Sequence, residues 1–244
     1  MVSSAPDLTS RILRRERTLV AISVAALAAL CWWYVVASAA DGSDMAAMRE
    51  PGFGALVVMW WLMMIAMMLP SAAPAILLYS RVRSVRGRDP GIGQTWTFLA
   101  GYVVVWLLFS MVAAFVQMLS TGASMALHNR LAESAVLIAA GIYQLSPMKS
   151  VCIRQCRSPA EFLSRHWRPG SAGAFQLGVM HGAYCVGCCW MLMALLFVGG
   201  IMNLLWIAAL TLLVAAEKLL PAGQIVRRVS AACLLIGGVR RLLI

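Results

Sequence analysis

The chain of 244 residues is 62% hydrophobic and only 12% charged, with a net charge of +11. A soluble domain of this size is about half apolar and about a quarter charged, so this composition excludes an ordinary soluble protein. The apolar residues lie in long runs separated by short basic segments, which is typical of an all-α, polytopic transmembrane helical bundle. Because the arginines occupy these short segments, the positive charge indicates contact with the lipid bilayer, and we expect no nucleic-acid partner.

Six apolar segments follow a basic segment at residues 1–18, and each of them predicts a transmembrane helix. They cover approximately residues 19–40, 53–79, 96–119, 131–147, 172–198 and 201–216. The tail at 225–244 is either a seventh span or an interfacial helix. The sequence therefore predicts one membrane domain, residues 19–244, with six to seven spans.

Two features of the first two segments leave alternatives open. Ala37-Ser38-Ala39 resembles a processing site, so the first segment is either a cleaved signal peptide or an uncleaved helix, which its length favours. Pro70 and Pro74 lie inside the second segment, where each removes a backbone donor and predicts a kink or a break.

The distribution of charge orients the predicted bundle. Basic residues are concentrated at the N-terminus and around residues 81–88, 149–168 and 218–228, and these regions alternate with acidic or uncharged loops. An excess of Lys and Arg marks the cytoplasmic side of a membrane protein. We therefore expect a multi-pass protein of the bacterial inner membrane with a cytoplasmic N-terminus. Glu217 and Lys218, at the end of the sixth segment, are expected at the membrane interface.

The fifth segment contains the densest group of metal-binding residue types. On a helix His181, Cys185 and Cys188 share one face at spacings i, i+4 and i+7, and Cys189 lies beside that face. Thiolate and imidazole are ligands that Cu(I) and Zn(II) accept. A single cysteine would be explained as a small hydrophobe, but this concentration of sulfur favours a metal or redox role. Gly182 is expected to let a neighbouring helix approach closely.

A second pair of cysteines follows the fourth segment. Cys152 and Cys156 are four residues apart, Met148 precedes them, and adjacent arginines favour the thiolate form. The spacing leaves two interpretations open. Either this segment folds inward and joins the cysteines of the fifth segment in one site, or the pair is incidental to a loop.

The second segment and the loop before it are rich in methionine. Met59, Met63 and Met67 form a stripe at i, i+4 and i+8. Thioethers bind Cu(I) without deprotonation, but methionine is also common packing material in apolar cores. The pattern therefore fits either close packing or a ladder of ligands from the outer side towards the inner cysteines. The methionines of this candidate path are Met45, Met48, Met59, Met63, Met64, Met67 and Met68, together with Met148 beside the second pair of cysteines.

Several motifs, in this order along the chain, resemble a bacterial family described as predicted metal-binding integral membrane proteins, a domain of unknown function. They are Trp60-Trp61-x-Met63-Met64-x-Ala66-Met67-Met68-x-Pro70-x-x-x-Pro74, Tyr143-Gln144-x-x-Pro147-x-Lys149-x-x-Cys152-x-x-x-Cys156-Arg157, Gly182-x-x-Cys185-x-Gly187-Cys188-Cys189-Trp190 and Glu217-Lys218-x-x-Pro221-x-Gly223. The resemblance implies a metal-binding role for the cysteines at 152, 156, 185, 188 and 189, and extends it to His181 and the methionines.

These observations favour a membrane protein that handles a soft metal ion, with Cu(I) as the expected ion and Zn(II) as the alternative. It would work by ligand exchange, either transporting the ion across the inner membrane or delivering it to a cuproprotein, with a metal donor or acceptor protein as its partner. One alternative is a thiol–disulfide oxidoreductase that uses Cys185 and Cys188, and another is a structural subunit of a membrane complex. The chain contains no nucleotide-binding motif and no hydrolase set, so we do not expect an enzyme. Its oligomeric state is left open.

Overall fold

The computed structural model describes residues 5–40, 52–86, 93–120 and 129–243. Within these ranges the architecture is all-α, as predicted. The helices are α1 (Ala5–Ala40), α2 (Phe53–Arg86), α3 (Gly93–Ser120), α4 (Arg130–Leu145), α5 (Pro147–Arg157), α6 (Pro159–His166), α7 (Gly170–Ala194), α8 (Leu196–Gly199), α9 (Leu204–Leu219) and α10 (Gly223–Leu243). The candidate ligands Met45 and Met48 lie outside the described residues.

Four stretches of the described residues are long and apolar enough to cross a membrane, and α4 with α5 makes a fifth if the two form one broken span. The predicted count of six to seven spans is therefore not confirmed. The sixth predicted segment forms α9, whose 16 residues reach about 24 Å, less than the roughly 30 Å of a hydrocarbon core. The tail forms the 21-residue α10, which has arginines near both ends. The four stretches are Thr18–Ala40, Phe53–Arg83, Gly93–Leu119 and Gly170–Gly199.

The fourth predicted segment bends sharply instead of continuing as one helix. α4 ends at Leu145, and α5 leaves at an angle of 64° to it. The residue before a proline is disfavoured in the helical conformation, and Ser146, which precedes Pro147, is extended at φ −67° and ψ 148°. The Ser146 hydroxyl accepts a hydrogen bond from the Lys149 backbone N–H at 3.1 Å and so caps α5. This turn directs α5 back against α7.

The central helix of the bundle is α2, against which α1, α3 and α9 pack. Every side chain from Met63 to Leu69 is buried, and Met59 is buried as well. A helix that is apolar on all sides is expected in a core, and the methionines here surround the helix axis instead of forming one exposed stripe.

The helix α2 continues through Pro70 and Pro74, so the predicted break is not formed. Membrane helices tolerate proline without losing their continuity. Beside Pro70 the Met68 carbonyl accepts hydrogen bonds from the Ser71 hydroxyl at 2.8 Å and from the Tyr102 hydroxyl at 3.4 Å.

The close contact between α3 and α7 depends on glycine in both helices. A Cβ at Gly178 would collide with the backbone of Phe98, and a Cβ at Gly101 would collide with the backbone of Phe175. A Cβ at Gly182 would lie 3.0 Å from the side chain of Val105 in α3, so the expected close approach at this position is observed. Small residues allow this approach, and it fixes the rotation of α7 about its axis.

Candidate metal centre

The cysteines of α7 face the interior of the bundle. Cys185, Cys188 and Cys189 are each only 1% exposed, and they belong to the same apolar core as the methionines of α2. The predicted face therefore forms, and Cys189 is included in it. All seven cysteines of the chain are free thiols in the structure.

The turn between α4 and α5 brings the second pair of cysteines to the first. The Cys156 side chain lies close enough to Cys185 and Cys188 to interact with both electrostatically. Cys152 lies over Gly187 of α7, where an added Cβ would be 2.8 Å from its Sγ. The two groups of cysteines are therefore neighbours in space, which answers the question that their spacing left open. We refer to Cys156, Cys185, Cys188 and Cys189 as the thiol cluster.

A buried ion pair holds α5 in this position. Lys149 Nζ lies 2.6 Å from Glu217 Oε2, and both side chains are buried. Gln144 of α4 bridges the pair, because its Nε2 donates to Glu217 Oε1 at 2.7 Å and its Oε1 accepts from Lys149. At the other end of α5 the Arg157 guanidinium donates to the Leu220 carbonyl at 2.8 Å. These polar contacts fix the position of α5 relative to the end of α9 in an otherwise apolar core.

The thiols as they stand are not arranged as a coordination sphere. Cys188 Sγ and Cys189 Sγ donate to the Cys185 carbonyl at 3.1 Å and 2.9 Å. Within the described residues, no group of three or more His, Cys, Asp or Glu side chains is arranged to hold a metal ion. Rotation about the Cα–Cβ bonds of these two cysteines would release their sulfurs from the Cys185 carbonyl. The cluster fits a soft metal ion through the chemistry of its sulfur donors and not through their present positions.

One methionine of α2 reaches the thiol cluster. Met68 Sδ lies 3.7 Å from Cys189 Sγ, so a thioether and a thiol are in contact. Met59, Met63, Met64 and Met67 are buried along the same helix. Met148, by contrast, is 60% exposed at the surface of α5, away from the buried sulfurs.

The predicted ligand His181 lies in an aromatic pocket one turn before Cys185. Its ring centre is 5.4 Å from Phe162, 5.9 Å from Tyr102 and 6.1 Å from Phe98. The residue is buried, and its Nδ1 has no hydrogen-bond partner among the described residues. His181 therefore shares the helix face with the cysteines but is surrounded by rings.

Two contacts of the cluster were not identified from the sequence. Lys218 Nζ lies 3.0 Å from Cys185 Sγ and 3.3 Å from Ser71 Oγ, and the Tyr102 hydroxyl lies 3.3 Å from the same sulfur. Glu217 and Lys218 lie in the last turn of α9, and their side chains are buried among the helices of the bundle. An ionisable residue at the end of an apolar segment is a signal of function, and it could have identified Lys218.

The sequence model of the PpoB2 family, described as copper chaperone, matches residues 57–240. The chain belongs to this copper chaperone family. No curated protein and no solved structure matches the chain significantly. The prediction of a metal-related family is thereby confirmed in its general form, and copper is the metal that the family indicates.

The segment that is homologous to the copper chaperone family contains the whole thiol cluster. It begins within α2, just before Met59, and ends within α10, so it includes Met68 and Lys218 as well. The candidate outer methionines Met45 and Met48 precede it. Every contact described above between α2, α5, α7 and α9 therefore lies inside the family's own sequence.

Proposed function

We propose that this protein is a copper chaperone of the bacterial inner membrane that carries Cu(I) as its cargo on the thiol cluster. The observation that supports this most directly is the meeting of Cys156 from α5 with Cys185 and Cys188 from α7 inside the bundle. Cu(I) favours soft sulfur ligands, and the burial of Cys185, Cys188 and Cys189 keeps water from their thiols.

Transfer by ligand exchange fits the division of the cluster between two helices. Two thiolates hold Cu(I) at one time, and the third cysteine is the ligand that enters when the ion moves. Cys189 and Met68, whose sulfurs are 3.7 Å apart, supply a thiol and a thioether on the side of α2. The ion is then passed along sulfur ligands to a partner protein, and no step needs a strong permanent site.

The membrane location is part of the same proposal. Four apolar stretches long enough to span support it, and the alternation of basic loops supports a cytoplasmic N-terminus. In this orientation α7 starts on the cytoplasmic side, and the buried methionines of α2 lead from the outer side towards the thiol cluster. We propose them as a path of weak thioether ligands, with His181 as a neighbouring ligand when its ring turns.

The test is a Cu(I) titration of the detergent-purified protein under reducing, anaerobic conditions against a chromogenic Cu(I) chelator. The wild type is expected to hold about one Cu(I) ion per chain, and Cys185→Ser/Cys188→Ser is expected to bind it much more weakly because it removes two of the four sulfurs of the thiol cluster. The matched control is Cys31→Ser/Cys233→Ser, which removes one buried and one exposed thiol outside the cluster. Equal copper binding by both double variants would refute the proposal.

The oxidation state of the cysteines in the membranes distinguishes this proposal from the thiol–disulfide oxidoreductase. A chaperone keeps its cluster thiols reduced when copper is absent, whereas an oxidoreductase cycles between dithiol and disulfide forms. Alkylation of freshly isolated membranes followed by mass spectrometry measures the two forms. A wild type that binds no copper and contains a mixture of reduced Cys185 and Cys185 in a disulfide would replace our proposal with the thiol–disulfide oxidoreductase.

A further inference from the structure

The thiol cluster has a buried positive charge as its direct neighbour. Lys218 Nζ contacts Cys185 Sγ at 3.0 Å and Ser71 Oγ at 3.3 Å. Ser71 in turn donates to the Met68 carbonyl at 2.8 Å, so the ammonium is held between α2 and α7. The side chain reaches this position from the last turn of α9.

The second buried lysine nearby has a different partner. Lys149 is paired with the Glu217 carboxylate at 2.6 Å, whereas no carboxylate among the described residues forms an ion pair with Lys218. A buried charge without a partner is costly, so the ammonium of Lys218 requires a compensating negative charge in the site itself. The sulfur of Cys185 is the group in contact that supplies it when it binds a metal as a thiolate.

For a site in which two thiolates bind the ion, charge counting shows which metal complex this arrangement favours. Cu(I) with two thiolates has a net charge of −1, and the ammonium of Lys218 brings the site to zero. Zn(II) with two thiolates is neutral alone, and the same ammonium leaves the site at +1. Because an uncompensated charge in an apolar interior is unfavourable, the lysine stabilises the first complex and destabilises the second.

We infer that Lys218 is the charge-compensating residue that makes the thiol cluster selective for Cu(I) over Zn(II). This inference rests on the proposed function, since it assumes that the cluster binds the ion. Lys218 is a positioning residue in this account, because it acts through the charge it places beside Cys185 and does not bind the metal.

The test compares wild type, Lys218→Met and Lys218→Arg in two titrations, one with Cu(I) and one with Zn(II), each against a chromogenic chelator. Lys218→Met is expected to weaken Cu(I) binding and to leave Zn(II) binding unchanged or stronger, so that the ratio of the two affinities falls by about tenfold or more. Lys218→Arg keeps the positive charge and is expected to keep the ratio of Cu(I) affinity to Zn(II) affinity close to that of the wild type. Arg165→Gln, which removes an exposed positive charge from α6, is the control for net charge.

A structural role for Lys218 predicts a different result. If Lys218→Met changed both affinities by the same factor, or if Lys218→Arg lost selectivity as fully as Lys218→Met, the inference would be overturned. If Lys218→Met does not fold, Lys218→Gln replaces it and keeps a donor towards Ser71. A wild type that binds no Cu(I) refutes the proposed function itself, whereas a wild type that binds Cu(I) with a ratio insensitive to position 218 refutes only this inference.

Discussion

The substitution Glu217→Gln tests whether the buried ion pair holds α5 over the thiol cluster. It removes the carboxylate that lies 2.6 Å from Lys149 and leaves the ammonium buried with amide oxygens alone. Removing one partner of a buried ion pair costs about 3–5 kcal/mol. The substitution therefore destabilises the position of α5 over the thiol cluster, because the ion pair joins this helix to the end of α9.

The magnitude sets the expected change in accessibility. If reagents reach Cys188 when α5 moves away, the rate of labelling follows the equilibrium for local opening. At about 1.4 kcal/mol per factor of ten, a cost of about 3–5 kcal/mol raises this rate by a factor of roughly 10² to 4 × 10³. The assay is alkylation of the detergent-purified protein by N-ethylmaleimide over time, with the modification at Cys185 and Cys188 quantified by mass spectrometry.

A matched substitution in α6 provides the control. Glu161 forms an exposed i, i+4 pair with Arg165 at 2.7 Å, and such a surface pair contributes about 0.3–0.5 kcal/mol. Glu161→Gln is therefore expected to change the rate of labelling by a factor of less than about three. If Glu217→Gln labels Cys188 no faster than Glu161→Gln does, the ion pair does not hold α5 closed and this account of the cluster is wrong.

Two further predictions concern helix packing and the thioether. Gly178→Ala places a Cβ against the Phe98 backbone and is expected to lower stability by about 1–3 kcal/mol, whereas Gly237→Ala, with open space around it, is expected to raise it by roughly 0.5–1 kcal/mol. Thermal unfolding in one detergent checks the opposite signs, and a lower melting temperature for Gly237→Ala would contradict the packing argument. Met68→Leu is expected to speed the loss of Cu(I) to a competing chelator, because it removes the sulfur beside the thiols at nearly constant volume. Met148→Leu at the exposed surface is the control, and equal rates of loss in the two variants would exclude Met68 from the path.

The positions of the site residues show which parts of the site the spacing of residues in the sequence can predict. The shared face of Cys185 and Cys188 follows from the period of one helix, and burial of that face agrees with it. Met148 was a candidate because it precedes the second pair of cysteines, but its side chain is exposed at the surface of α5. His181 satisfies the spacing as well, yet three aromatic rings from other helices surround it. The helical period identifies which residues share a face of the helix. Only the neighbouring helices determine what that face contacts.

The sequence by itself determined that the chain is helical and apolar enough for a membrane, because each apolar segment must satisfy its own backbone hydrogen bonds where water is absent. It also determined the grouping of cysteines within α7, which is a local property. The tertiary structure decided the sharp turn before α5, the joining of Cys156 to Cys185, and the contact of Lys218 with a sulfur 33 residues away in the sequence. These contacts depend on the angles and rotations at which helices pack, and those are set by side chains and glycines on several helices together.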